Sequence, residues 1–157
     1  MGFSQTAGVG VKSVMRPPTR HAPARVAVLL LAVNALGTAS LGAQQTHFLM
    51  VVGLSGGTIY KERFQGWATS IRDAAVGRLG IPEANFVWLA EDTAAVPGQI
   101  KDRATVSSIR TALTGISQRA GDVDRLVLLL IGHGTERAGK PLFNLVGPDL
   151  SPTDLDL

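Results

Sequence analysis

The sequence predicts an α/β fold in which a mainly parallel sheet is covered by helices on both faces. Three observations predict it. Three runs are aliphatic nearly throughout rather than alternating, as in strands buried on both sides. Two segments between them carry apolar residues at spacings of three and four, the mark of a helix with one buried stripe. The order is strand, helix, strand, helix, strand, which builds parallel sheets. All five lie in residues 44–157, and 157 residues suit one domain, with 45% apolar side chains to fill its core.

The first strand is expected in "THFLMVVGLS" (Thr46 to Ser55), which runs into the glycine loop "GLSGG". The first helix follows in "YKERFQGWATSIRDAAVGRL", where Phe64, Trp67, Ala68, Ile71, Ala75 and Leu79 form one apolar face. Gly80 and Pro82 close it. "NFVWLAED" (Asn85 to Asp92) is a short second strand with acidic residues at its end, and "TAAVPGQIKDR" is a loop broken by Pro97 and Gly98. Helical spacing returns at Val106, Ile109, Leu113 and Ile116. "RLVLLLI" (Arg125 to Ile131) is the third and most aliphatic strand. Near the last residue, Ser151 suits a helix cap, with Pro152 at the first turn and Asp154 as the capping partner.

Residues 1–43 differ in kind. Arg16, Arg20 and Arg25 precede the apolar run "VAVLLLAVNALG" (Val26 to Gly37), and small residues follow. That order is expected of a secretory signal peptide, so the protein is expected to be exported to a periplasmic or extracellular space. Cleavage would follow Ala39, Gly42 or Ala43, and Met15 is an alternative start. The twelve-residue run is short against the roughly 20 residues of a membrane span, so no stable span is expected. A signal anchor is the alternative. The same segment accounts for the net charge of +3: Lys12, Arg16, Arg20 and Arg25 lie before Val26, and no acidic residue precedes Glu62. The remaining 11 basic and 12 acidic side chains nearly balance, so no nucleic-acid partner is expected. The chain has no cysteine, which excludes disulfides and any thiol chemistry within these residues.

The residue that draws a chemical reading is His133, two positions past the third strand and flanked by Gly132 and Gly134. Sites in open α/β sheets form beyond the carboxyl ends of the strands. A histidine there can move protons near neutral pH, and an outward Gly134 N–H can bind an oxyanion. The plain alternative is a loop histidine satisfied by a backbone carbonyl. Zinc is not expected, because His21 and His47 are the only other histidines and no HxxxH or HExxH spacing occurs. "GLSGG" matches a nucleophile elbow at Gly53, Ser55 and Gly57, so Ser55 is a competing hydrolase candidate. Against it, the elbow follows the first strand and no acid is clearly placed to orient the histidine. The same glycines could cradle phosphate, but the phosphate-loop patterns are absent. Glu91 and Asp92 are either functional or an exposed strand end. Arg63 is either a solvated position or a substrate contact.

In order, "HFLMVVGLSGG", "LGIPEANFVWLAEDTA", "TVSSIRTAL", "RLVLLLIGHGT" and "FNLVGPDLSPTDL" resemble the caspase-like cysteine peptidases, the legumain-like branch more than the caspases. The resemblance runs from about Thr46 to Leu157. It implies a three-layer αβα sandwich, peptide-bond hydrolysis, and His133 as the catalytic histidine with Gly134 as an oxyanion donor. It implies a substrate-binding role for Arg63, no cofactor or metal, and a peptide or protein as the partner; it leaves the oligomeric state undetermined. Phe64 replaces a histidine expected beside that arginine in legumains. The family's nucleophilic cysteine lies about 50 residues beyond the histidine in caspases, whereas 24 residues follow His133. The expectation is therefore a peptidase domain truncated before its nucleophile strand and inactive in this form. The alternatives are a non-catalytic module of the same fold that binds peptide or a partner, and a serine hydrolase using Ser55.

Overall fold

The computed structural model describes Met1 and residues 44–156. The expected leader, with His21 and the apolar run, lies outside the described residues. Four strands form one parallel sheet: β1 (Thr46–Val52), β2 (Phe86–Ala90), β3 (Asp102–Arg103) and β4 (Arg125–Ile131), in the order β3-β2-β1-β4. The most apolar strand by burial, β1, is central, and its residues alternate between two cores. Leu49 and Val51 pack with Leu89 and with Ile109, Leu113 and Ile116 of helix α2 (Val106–Ser117). Met50 and Val52 pack with Trp88 and with Phe64 and Ala68 of helix α1 (Thr58–Arg72). The fold is thus mixed α/β, with a mainly parallel sheet and a helix on each face. No helix among the described residues is long and apolar enough to cross a membrane.

Several elements depart from the expected ones, each for a physical reason. The first helix changes at Asp73 into a wider π-helical segment, Asp73–Arg78, in which the Leu79 N–H donates to Ala74 O. Widening shifts the phase of the apolar stripe, so Leu79 ends up exposed. Trp67, expected on the buried face, is 54% exposed and lies against the flank of Phe64 at 5.8 Å between ring centroids. The end of the loop over residues 93–103 pairs with β2 as β3, where Lys101 N–H and Ala104 N–H donate to Trp88 O and Ala90 O.

An antiparallel hairpin follows β4, made of β5 (Gly134–Arg137) and β6 (Lys140–Phe143). Its turn places Ala138 and Gly139 at φ 53° and 74°, the two successive positive values of a tight hairpin connection. The cap at Ser151 forms as expected. The Asp154 carboxylate accepts from the Ser151 N–H at 2.9 Å and the Ser151 hydroxyl at 2.6 Å, and Arg110 adds an ion pair at 3.0 Å. The capped segment, Pro152–Leu155, is a short 3₁₀ turn.

The outer edge of β4 is unpaired among the described residues, and Leu126, Val127 and Leu130 are exposed along it. Its inner edge sets up the site. Seven consecutive parallel pairs run from Thr46↔Arg125 to Val52↔Ile131, so β1 and β4 end level with each other.

Candidate functional site at the carboxyl ends of the strands

Because β1 and β4 end level, the segments that leave them run side by side. Gly53 donates to Ile131 O at 2.9 Å, continuing the ladder by one bond. Beyond it the chain can pass only because glycine occupies two positions. A Cβ on Gly53 would lie 2.3 Å from Asn144 O and 2.9 Å from the Phe143 ring, and one on Gly132 would lie 2.9 Å from the same ring. The far end of the Phe143 ring therefore packs against the two glycine turns, and Asn144 is stitched to both. Its carbonyl accepts from the Leu54 N–H, and its N–H donates to His133 O, each at 3.0 Å.

His133 is half-buried above this platform. Its Nε2 lies 3.2 Å from the Ser55 carbonyl oxygen. A carbonyl oxygen only accepts, so in the neutral ring Nε2 carries the proton and the lone pair sits on Nδ1. No other described residue hydrogen-bonds to the ring. Two aromatic rings of α1 fix its plane: Tyr60 meets it edge-on at 4.6 Å between centroids, and Phe64 is tilted against it at 5.2 Å. The backbone carbonyl anticipated by the plain alternative is thus present, and it leaves the second ring nitrogen unengaged.

The phase of the hairpin ladder decides what Gly134 can offer. Gly134 faces Phe143 across β5 and β6, while the bond next to them runs from Asn144 N–H to His133 O. That makes Gly134 and Phe143 a non-hydrogen-bonded pair, whose own N–H and C=O groups point away from the partner strand. Phe143 spends its outward groups on Leu150, in both directions at 2.9 Å. The Gly134 N–H points away from β6 and is exposed.

Ser55 and Glu91 form the other half of the site. Ser55 is 5% exposed, and one carboxylate oxygen of Glu91 accepts from both its hydroxyl at 2.8 Å and its N–H at 3.0 Å. The Ser55 hydroxyl is therefore aimed at Glu91, while His133 meets the carbonyl of the same residue. The hydroxyl-to-imidazole bond required of a serine nucleophile is not made. Next to this pair, Lys61 and Asp92 form an ion pair at 2.9 Å. The Lys61 ammonium, hydrogen-bonded to Asp92, is raised above the ordinary lysine value, and the Asp92 carboxyl is lowered by the same bond and by the Ala94 N–H.

Arg63 is exposed on α1 and makes no ion pair among the described residues. The contacts to His133 come instead from Tyr60 and Phe64, one helical turn apart. No group of three potential metal ligands occurs among the described residues. His47 is buried at the opposite end of the sheet, 3.3 Å from Asp124. A cleft of about 930 Å³ runs along α2 beside Val146 and Pro148, and none of the site residues lines it.

Three contributors escaped the reading of the sequence: Tyr60, Asn144 and the use Glu91 makes of its carboxylate. Only Glu91 carried a signal, as an acidic residue immediately after an aliphatic strand. Comparison of the chain with family models, with curated proteins and with solved structures finds no match to any of them.

Proposed function

We propose that residues 44–157 belong to a caspase-like cysteine peptidase of the legumain-like branch, in which His133 moves the protons of peptide-bond hydrolysis. The observation that carries the reading is the state of the imidazole. It stands at the carboxyl end of a parallel sheet with Nε2 held by a carbonyl, Nδ1 unengaged, and a Gly134 N–H turned away from its own hairpin next to it in the chain. A ring held this way accepts a proton at Nδ1. In the proposed reaction Nδ1 takes the proton of a thiol, and the thiolate attacks the peptide carbonyl carbon. The Gly134 N–H donates to the oxyanion that forms. His133 then returns the proton to the leaving amine, and water, giving its proton to the same ring, attacks the resulting thioester to release the acid and the thiol. The thiol belongs to a cysteine that residues 1–157 do not contain, so this chain alone is proposed to be inactive. Arg63, exposed on the helix that touches the ring, is proposed to bind substrate. Residues 1–43 are proposed to export the protein.

The test is turnover of a peptide library by the polypeptide that carries residues 44–157 together with the sequence encoded after them. His133→Ala is expected to lower turnover by about 10²–10⁴-fold, the usual loss on removing a positioned acid–base group. The same change removes the bond to Ser55 O and the packing on Tyr60 and Phe64, at about 1–2 kcal/mol, so turnover is compared at a temperature where both proteins are folded. Wild-type turnover in that variant would end the assignment. A peptide that binds without being cleaved would favour the non-catalytic module.

A further inference from the structure

We propose that Glu91 is a positioning residue for His133, acting through Ser55; the inference rests on the reading of His133 as the acid–base group. The argument begins with what holds the Ser55 carbonyl, since that oxygen selects which ring nitrogen carries the proton. On its C-terminal side the nearest anchor is Gly57, whose carbonyl accepts from the Lys61 N–H at 3.0 Å as α1 begins, and Gly56 makes no hydrogen bond among the described residues. Gly56 has φ 69° and Gly57 is extended, and a Cβ built on either would meet no atom within 4 Å. Two glycines in open space leave the peptide unit that carries the Ser55 carbonyl able to rotate.

The bonds closest to the carbonyl lie on the N-terminal side. There the Leu54 N–H is bonded to Asn144 O, and the next two donors, the Ser55 N–H and the Ser55 hydroxyl, both end on Glu91 Oε2. Glu91 thus holds two of the three bonds on this side of the turn. It can do so because it directly follows β2, and β2 lies beside β1 in parallel register with Val51 opposite Leu89. A carboxylate accepting two hydrogen bonds in one direction fixes the serine more tightly than a neutral acceptor would. Ser55 is nine-tenths buried and its hydroxyl has no second described partner, so the pair forms a closed relay. Glu91 reaches Ser55, the Ser55 carbonyl reaches Nε2, and Nδ1 is left as the basic atom facing outward.

Nitrogen NMR of the His133 ring in the full chain, recorded well above the imidazole titration range, reads this relay directly. In the wild type the ring should show one tautomer, with the proton on Nε2 and well-separated nitrogen resonances. Glu91→Ala should move both resonances toward those of free neutral histidine while the circular dichroism stays that of a folded chain. Glu91→Gln, whose neutral amide oxygen can accept the same two bonds more weakly, should return them most of the way to the wild-type positions. Ser55→Ala removes the hydroxyl bond and keeps the N–H bond, so it should give an intermediate shift, and it serves if Glu91→Ala does not fold. A purely structural glutamate would lower the thermal midpoint and leave the ring resonances in place. Wild-type ring resonances in Glu91→Ala, or in Ser55→Ala where the former cannot be measured, overturn the proposal. The spectra need no nucleophile, so they are independent of whether His133→Ala abolishes turnover.

Discussion

Gly53→Ala tests the platform on which His133 stands, because a single methyl group is placed where none fits. The new Cβ would lie 2.3 Å from the Asn144 carbonyl oxygen and 2.9 Å from two atoms of the Phe143 ring. The oxygen is backbone and cannot rotate away. Asn144 must retreat, and it is bonded to both Leu54 and His133 at 3.0 Å. Losing one of those bonds costs about 1 kcal/mol net, and forcing a methyl into a filled space costs roughly 1–3 kcal/mol. A total of about 2–4 kcal/mol corresponds to a fall in thermal midpoint of about 10–20 °C for a domain of this size. Thermal and urea unfolding followed by circular dichroism measure it. Gly66→Ala is the control of opposite sign. Gly66 lies within α1 with open space around it, so alanine should raise stability by up to about 1 kcal/mol. A Gly53→Ala midpoint within about 5 °C of the wild type would refute the close packing of the two glycine turns on Phe143 and Asn144.

Two further predictions concern regions away from the site. Asp124 is held below the usual carboxylate range by the N–H groups of Gln45 and Gly121, with a smaller contribution from His47. A lowered folded-state value means stability that is present above the unfolded value of about 3.9 and lost as pH falls through the folded one. Asp124→Asn should therefore be less stable near neutral pH and lose less on acidification, with Asp92 and Asp154 supplying the slope that remains. Urea midpoints from pH 7 to about pH 3 give the comparison, and parallel curves would exclude the role. On β4, the exposed Leu126 and Val127 present an unpaired aliphatic edge among the described residues, a template for pairing with other chains. The chain should scatter light increasingly with concentration, and Val127→Lys should suppress it. A wild-type monomer with a concentration-independent thermal transition would contradict this.

The class of fold was legible because its signal is local. Leu126 to Ile131 is aliphatic on both faces and reads as a strand, although only Ile131 of it is buried among the described residues, and the stripe Ile109, Leu113, Ile116 has the helical period wherever the helix docks. Elements whose signal is not hydrophobic were missed. The β5–β6 hairpin is mostly exposed, so neither of its short strands carries a core pattern. The position of Trp67 was misjudged because a stripe of apolar residues is wider than the face that finds a partner. Leu79 was misjudged because a π-helical turn breaks the period on which the count depends.

For the site, local sequence marked His133 and its flanking glycines, because a strand followed at once by Gly-His-Gly is contiguous in the chain. It also marked Ser55, but with the hydroxyl as the group of interest. Only the tertiary structure decided that the carbonyl of Ser55 is what His133 meets and that its hydroxyl belongs to Glu91. The reason is register. Ser55, Glu91 and His133 are 36 and 78 residues apart along the chain when measured from Ser55, and no local period relates them. They converge because three parallel strands end at a common level, and side-by-side alignment is a property of inter-strand pairing that single-strand composition does not encode. The outward N–H of Gly134 follows in the same way from the phase of a hairpin ladder, where a shift of one residue would have turned that donor inward.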